Sequence, residues 1–201
     1  MNIASLGYSD RLASDAGAMA SVLRRNVVEV RSGDSGCGAG ILWPGGLIVT
    51  NAHCVTQPFA GARLEIAQDD ARRTAKLVAH DRRRDLALLS APGLTALPLE
   101  LRDVDSLRAG ELVFAYGHPL GVRDALAMGV VHGVARDART GEARFVVADV
   151  RLAPGNSGGP LVDADARLIG INSMVINGLG VAVPVGVIHR FVERVLATHA
   201  A

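Results

Sequence analysis

The stretch LAPGNSGGPLV, residues 152–162, places three glycines around Ser157 and apolar residues on both sides. A loop that only reverses direction needs about one or two glycines. A loop that presents a hydroxyl and also aims backbone N–H groups at the same point needs more, because such backbone conformations tolerate side chains badly. We therefore interpret this stretch as the loop of a serine nucleophile.

A serine hydroxyl needs a base within hydrogen-bond reach, and the base needs a carboxylate that orients it. His53 follows the strongly apolar run LIVT, at the predicted end of a strand. Asp85 precedes the apolar run LALLS, where a carboxylate can be partly buried; Asp81 is the competing carboxylate, but arginines flank it. The turn at Ser157 can also supply the N–H donors that stabilise an oxyanion.

The other five histidines favour structural roles. His80, His132 and His189 lie inside strand or helix patterns, His118 looks like a turn residue, and His199 lies in the C-terminal tail.

Short β-rich runs separated by Gly, Pro and Asp recur along the chain, which is typical of all-β barrels and sandwiches. About a dozen occur: NVVEV, GILW, GLIVT, RLEIA, AKLVAH, LALLS, ELVFAYG, MGVVHGVA, RFVVADV, GPLVD, RLIGINSM and GVAVP. Apolar residues at helical spacing predict a short helix over 13–23 and a C-terminal helix that packs on the barrel. Residues 92–110 carry proline and mixed charge, and we interpret them as the linker between two halves.

Composition excludes several classes of function. The net charge is +1 and Lys76 is the only lysine, so the chain lacks the basic surface of a nucleic-acid binder. No apolar run approaches the roughly 18–20 residues needed to cross a bilayer. The N-terminus lacks the features of a signal peptide, which predicts a cytoplasmic protein, or a periplasmic or secreted one if a leader was removed.

Cysteine usage argues against a metal centre. Cys37 and Cys54 are the only cysteines, there is no CxxC pair, and His53 is directly adjacent to Cys54. We expect no metal and no cofactor, and either two buried thiols or one disulfide.

The motifs TNAHC, RDLALL and PGNSGGPL, in the order His, Asp, Ser, resemble the chymotrypsin-type serine proteases, and most closely the HtrA/Deg branch. The resemblance covers roughly residues 22–198. It implies two six-stranded antiparallel β-barrels within a single protease domain: an N-terminal barrel over 22–100, a C-terminal barrel over 101–185 and a C-terminal helix over 186–201. HtrA proteases usually carry PDZ domains after the protease; the sequence as given ends at Ala201, so we expect no peptide-gated activation through such a domain. Digestive relatives have aspartate where Asn156 stands, which pairs with a new N-terminus after cleavage; Asn156 cannot form that pair, so we expect control by loop order or by a partner instead.

The resemblance assigns roles residue by residue. Ser157 is the nucleophile, His53 the general base and then acid, and Asp85 the orienting carboxylate. The N–H groups of Gly155 and Ser157, with Asn156 as an additional candidate, form the oxyanion hole. The hydroxyl of Ser173 supports the aspartate.

The same alignment lines the substrate pocket with Arg151, Leu152, Asn172, Val175, Gly180 and Ala182. Arg151 argues against cleavage after Arg or Lys. An inward guanidinium favours acidic residues before the scissile bond, whereas an outward one leaves an aliphatic wall that favours Val, Ala or Leu. Cys37 and Cys54 match the positions of a disulfide in secreted relatives.

The sequence thus predicts a serine endopeptidase that acts on polypeptides through an acyl-enzyme intermediate. The alternative is a silent or latent protease fold that binds peptides or a partner. A regulatory partner or a homo-oligomer is expected, without nucleic acid or membrane. An esterase of another fold is disfavoured because the GxSxG elbow is absent.

Overall fold

The computed structural model describes the backbone of residues 3–33, 37–55, 64–69, 71–94 and 98–199, and their side chains except those of residues 3–13, 37 and 199. Two helices flank thirteen strands among these residues. The predicted all-β class with one helix at each end is confirmed.

Seven antiparallel strands form the N-terminal sheet. The inner strands of this sheet are buried along nearly their whole length, whereas the two strands at its edges are exposed or only half-buried. The strands are β1 (Val27–Ser32), β2 (Cys37–Trp43), β3 (Leu47–Thr50), β4 (Leu64–Gln68), β5 (Ala71–Thr74), β6 (Lys76–Asp81) and β7 (Leu86–Ser90). Their spatial order is β5-β4-β1-β2-β3-β7-β6, and within the described ranges the sheet is an open half-barrel of seven strands, where the sequence predicts a barrel of six.

The remaining six strands close into a barrel, in the order β10-β13-β12-β11-β8-β9. Closure pairs every strand on both sides and so leaves no exposed sheet edge. The strands are β8 (Leu112–Gly117), β9 (Ala125–Arg136), β10 (Ala143–Asp149), β11 (Pro160–Asp163), β12 (Leu168–Ile176) and β13 (Leu179–Pro184).

Helix α1 (Ile3–Asn26) is longer than the predicted helix over 13–23. Apolar periodicity reports only the part of a helix that packs, and α1 buries Met19 and Leu23 near its C-terminal end. Helix α2 (Val185–His199) agrees with the prediction and buries Ile188, Phe191 and Val192.

The two halves share one core. The larger of two hydrophobic clusters joins buried side chains of the N-terminal sheet, such as Ile41 and Leu88, to those of the barrel, such as Leu161 and Ile171. The predicted linker also packs, since Leu101 bridges to Leu168 at the start of β12. The loops that end β3, precede β7 and precede β11 are therefore held on a common frame.

Candidate active site

His53 lies where a buried strand ends. Strand β3 terminates at Thr50, and the chain turns at once into a short 3-10 helix, Ala52–Cys54. The imidazole leaves this turn toward solvent, with half of its side-chain surface exposed. A short turn on a rigid strand thus fixes the ring while leaving one edge accessible.

Asp85 comes to His53 through strand pairing. Thr50 of β3 is directly opposite Ala87 of β7, so the residues after β3 and those before β7 lie side by side. Asp85 has φ +54°, a conformation that aspartate tolerates better than most residues. Asn51 Nδ2 donates to the Asp85 carbonyl at 3.0 Å and fixes this turn.

The Asp85 carboxylate receives hydrogen bonds from two other residues. His53 Nδ1 lies 2.9 Å from both carboxylate oxygens, and the His53 backbone N–H donates to Oδ1 at 3.0 Å. Ser173 Oγ donates to Oδ2 at 2.6 Å. The structure therefore brings together the predicted His53, Asp85 and Ser173.

These contacts shift the pKa of both partners. The hydrogen bond with Asp85 is the largest of several effects that together raise the pKa of His53 from its ordinary 6.5 to about 10. Burial raises the pKa of Asp85, but the hydrogen bonds from His53 and Ser173 outweigh it and hold that pKa below its ordinary value. The imidazolium–carboxylate pair is thus the favoured resting state of the site at neutral pH.

Ser157 lines the same cleft as His53. Its carbonyl accepts the Ala39 N–H at 2.7 Å, which ties the loop to strand β2. Its hydroxyl donates to the Ser173 carbonyl at 3.2 Å. No hydrogen bond joins Ser157 to His53 in the described part of the chain, because the Ser157 hydroxyl is directed toward the Ser173 carbonyl.

Two glycines beside Ser157 have positive φ values and pack closely against neighbouring backbone. Gly158 has φ +83°, and a side chain there would collide with the Ala39 carbonyl and the Thr50 hydroxyl. Gly155 has φ +106°, and a side chain there would collide with the His118 carbonyl. We call residues 153–158 the nucleophile loop; glycine is required in it both for conformation and for close backbone packing.

Peptide planes orient the predicted oxyanion donors. In a trans peptide the C=O and the N–H point in opposite directions. The Pro154 carbonyl accepts the Leu120 N–H at 3.0 Å, which turns the Gly155 N–H away from that contact; the Asn156 carbonyl accepts the Gly159 N–H at 3.0 Å, which does the same for Ser157. Neither donor has a protein acceptor among the described residues.

Asn156 differs from the other two oxyanion candidates. Its N–H donates to the Ala153 carbonyl at 3.0 Å and closes a turn within the nucleophile loop. That N–H is already used, so Gly155 and Ser157 are the two candidates with an unpaired donor in the described structure.

The cleft has a volume of about 400 Å³. Of the six predicted pocket residues it contains Leu152, Asn172 and Val175. It also contains His53, Ala153, Pro154, Asn156, Ser157, Ser173 and Met174. Ala153 and Pro154 were not predicted as pocket residues, although they belong to the apolar run that precedes Ser157 in the sequence.

Three predicted pocket residues do not line this cleft. Arg151 is exposed, and Ala182 is buried in the barrel opposite Asn172. Gly180 packs against Val150 and Leu152, which a side chain at this position would meet. The pairing register shifts between Asn172 and Met174, and a shift of this kind changes which side chains point into the cleft.

The competing residues have other partners. Asp81 binds the Arg84 guanidinium at 2.8 Å. His80 Nε2 lies 3.2 Å from the Ala52 carbonyl, His132 is exposed on β9, and His189 lies 3.4 Å from Glu193. His118 does lie in a turn, but its side chain is buried.

Cys54 carries a free thiol that donates to the Ser157 carbonyl at 3.6 Å. Its sulfur packs against Gly38, next to Cys37 in β2. The Cys37 side chain lies outside the described residues; because Cys54 is free in this structure, the disulfide stays a prediction for an oxidising compartment.

Over the same described ranges, no group of three His, Cys, Asp or Glu side chains is arranged to hold a metal ion. Likewise, no helix in the described part of the chain is both long and apolar enough to cross a membrane.

The half-barrel and the closed barrel, with Ser157 and His53 at one cleft and Asp85 hydrogen-bonded to His53, define a chymotrypsin-like protease fold. Residues 38–171 match the family of the trypsin-like peptidase domain. The chain belongs to this family.

Its relatives are HtrA/Deg proteases. The chain is 34% identical to Protease Do-like 1, chloroplastic, of Arabidopsis thaliana over 85% of its own length and 41% of the relative's. It is also 34% identical to a probable periplasmic serine endoprotease, DegP-like, of Pseudomonas putida, over 71% of its length and 31% of the relative's. The crystal structure of Deg5 superposes with a TM-score of 0.78 at 28% identity, covering 89% of this chain and 92% of that one. The chain thus spans less than half the length of these two curated relatives.

Proposed function

We propose that this chain is a serine endopeptidase that hydrolyses polypeptides through His53, Asp85 and Ser157. The observation that carries the proposal is the Asp85 carboxylate, which holds both the ring and the backbone of His53 at the cleft that also contains Ser157. An ion pair that only stabilises the fold would not require the positive φ of Asp85, the Ser173 hydroxyl or a neighbouring nucleophile loop with unpaired backbone N–H groups.

Acylation begins when neutral His53 takes the proton of the Ser157 hydroxyl on Nε2. The oxygen attacks the scissile carbonyl, and the C=O electron pair moves onto its oxygen, which the Gly155 and Ser157 N–H groups stabilise. The tetrahedral species collapses as the C–N bond breaks, and the imidazolium gives its proton to the leaving amine. The product is an ester between Ser157 and the N-terminal part of the substrate.

Deacylation repeats these steps with water. His53 takes one proton of the water, the hydroxide attacks the ester carbonyl, and the C–O bond to Ser157 breaks while His53 returns the proton to the serine oxygen. Asp85 stays ionised throughout and stabilises the imidazolium.

The resting site needs two changes before it reacts. His53 must lose the proton that Asp85 stabilises, and the Ser157 hydroxyl must leave the Ser173 carbonyl and turn toward Nε2. Rotation about the Ser157 Cα–Cβ bond is the movement that we propose. The resting contact also favours the alternative function, a latent fold that binds peptides or a partner until it is triggered.

We propose an aliphatic preference before the scissile bond. The walls of the cleft include Leu152, Met174 and Val175, whereas Arg151 is exposed outside it. An acidic side chain in the cleft would therefore lose water without gaining a guanidinium partner.

We also propose a protein substrate for this chain, and either a homo-oligomer or a regulatory partner. Its compartment is likewise a proposal. The names of its relatives state that they are chloroplastic or periplasmic. A non-cytoplasmic compartment would also favour oxidation of Cys37 and Cys54.

Peptides with Val, Glu or Arg before the scissile bond test both proposals. We expect kcat/KM to be highest for Val, and turnover to disappear in Ser157→Ala while persisting in the exposed control Ser21→Ala. Turnover that survives Ser157→Ala contradicts the proposed function. A preference for Glu that Arg151→Ala removes contradicts only the aliphatic preference.

A further inference from the structure

The segment 118–124, here called the 118 loop, lies against the nucleophile loop. The His118 N–H donates to the Gly155 carbonyl at 3.0 Å, next to the bond between Leu120 and Pro154. Because the Pro154 carbonyl and the Gly155 N–H belong to one peptide, the 118 loop sets the direction of an oxyanion donor.

The His118 side chain is held inside this loop, and only 6% of the residue is exposed. Nδ1 accepts the backbone N–H of Asp124 at 3.3 Å, so the proton of the neutral ring is on Nε2. Nε2 is buried and has no hydrogen-bond partner among the described residues. The ring meets Tyr116 edge-on, with 6.3 Å between centroids.

Ionisable groups from three other elements and from the 118 loop itself surround a small cavity of about 60 Å³ at His118. They are Arg24 of α1, Glu29 of β1, Asp69 of the β4–β5 turn, and Arg123 and Asp124 of the 118 loop. Burial lowers the pKa of His118 below 6.5; Asp124 and Glu29 oppose this effect, and Arg123 adds to it.

We propose that His118 is a proton-sensitive positioning residue whose neutral form holds the Gly155 N–H in its oxyanion-binding direction. Protonation puts an N–H on Nδ1, facing the Asp124 N–H, so that one hydrogen bond becomes a contact between two donors. The 118 loop then releases the Pro154 and Gly155 carbonyls, and the peptide that carries the Gly155 N–H is free to turn. The inference rests on the proposed function, because it assigns a role to Gly155 in catalysis.

The direction of the pH effect on stability follows from the lowered pKa of His118. A folded pKa below the unfolded value means that neutral His118 stabilises the fold above about pH 6.5, and that this contribution is lost as pH falls through the folded value. The oxyanion donor should therefore become disordered on the acid side, where His53 is already protonated.

Amide NMR tests the coupling without any catalysis. In the wild type, the Gly155 amide should show an inflection below pH 6.5 that coincides with the titration of the His118 ring. His118→Asn keeps an acceptor near the Nδ1 position but does not titrate, and it should remove the Gly155 inflection. The exposed control His132→Asn should keep it.

A Gly155 inflection that persists unchanged in His118→Asn overturns the proposal. If that variant does not fold, the wild type still decides: inflections of His118 and Gly155 at the same pH support the coupling, and inflections at different pH overturn it. Because the readout is structural, a chain without peptidase activity would refute the proposed function and leave this test intact.

Kinetics give a second readout in an active enzyme. At pH values below the titration of the His118 ring, the plot of log kcat/KM against pH should have a slope of about two in the wild type and about one in His118→Asn. His118→Leu, which lacks the acceptor, should lower kcat by about tenfold with little change in KM, and His118→Asn should recover most of that loss. Equal slopes in the wild type and His118→Asn contradict the proposal.

Discussion

At the scale of single residues, Asp85 is the centre of the candidate site. Its carboxylate is held by the ring and backbone of His53 and by the hydroxyl of Ser173. Hydrogen bonds to a charged acceptor are worth more than neutral ones, about 1.5–3 kcal/mol each. Each donor therefore contributes to the orientation of the imidazole and to the low pKa of Asp85.

Replacing Ser173 by alanine removes the 2.6 Å hydrogen bond to Oδ2. We expect the pKa of Asp85 to rise and kcat/KM to fall by about 10- to 100-fold, because a charged group loses one donor. Steady-state kinetics checks this, with Ser21→Ala on α1 as the matched control. Unchanged kinetics in a folded Ser173→Ala enzyme would show that this hydroxyl does not support the aspartate.

Replacing Asp85 by asparagine should lower the pKa of His53 from about 10 toward 6.5, since its main cause is the Asp85 hydrogen bond. In the wild type, kcat/KM should keep rising well above pH 6.5 as His53 loses its proton. Asp85→Asn should shift that rise to lower pH and reduce kcat by about 10,000-fold. NMR of the His53 ring and a pH–rate profile measure both effects.

Asp81→Asn is the control for that experiment, because Asp81 binds Arg84 instead of His53. An identical His53 titration in Asp85→Asn and the wild type contradicts the assignment.

The ion pair between His53 and Asp85 also affects stability. Because the pKa of His53 is raised in the folded state, the pair stabilises the fold fully below pH 6.5, and this contribution is lost as pH rises through about 10.

The residues that meet at the cleft could be predicted from their motifs, because residue type and flanking strands determine them. The sequence could not predict that the Asn156 N–H is used inside the turn, or that the Ser157 hydroxyl contacts the Ser173 carbonyl. Peptide planes and hydroxyl rotamers depend on partners from distant segments. For the same reason His118 looked only like a turn residue.

At the scale of elements, the nucleophile loop connects the two sheets, since the Ser157 carbonyl accepts the Ala39 N–H and Gly158 packs against the Ala39 carbonyl.

Strand β5 could not be predicted from the sequence, because its residues are mostly exposed and include two arginines. An edge strand without an apolar face lacks the alternation that predicts strands.

Gly158→Ala separates conformational strain from close packing. Gly158 and Gly45 have similar φ values, +83° and +81°, but only Gly158 has backbone within reach of a Cβ. We expect Gly45→Ala to cost about 1–2 kcal/mol and Gly158→Ala to cost at least about 3 kcal/mol. Urea unfolding measures both; equal costs would show that the loop has room for a side chain.

At the scale of the whole molecule, we propose that residues 1–201 form a single protease domain. Buried side chains from both sheets belong to one hydrophobic cluster, and α2 packs Phe191 and Val192 into it. A shared core predicts cooperative unfolding, because neither sheet can open without exposing apolar surface of the other.

Two spectroscopic probes test that cooperativity. Trp43 is the only tryptophan and lies in β2 of the N-terminal sheet, so its fluorescence reports on that half. Far-ultraviolet circular dichroism reports on both halves and on the helices. We expect the two urea transitions to coincide, and separate midpoints would contradict a shared core.

The most direct test of the central claim is mass-spectrometric mapping of a fluorophosphonate adduct. We predict a single adduct on Ser157 whose rate of formation rises between pH 7 and 10, because attack requires neutral His53 and the pKa of that residue is raised to about 10. Folded protein that forms no adduct on Ser157 across this range, or forms it elsewhere, would contradict the account.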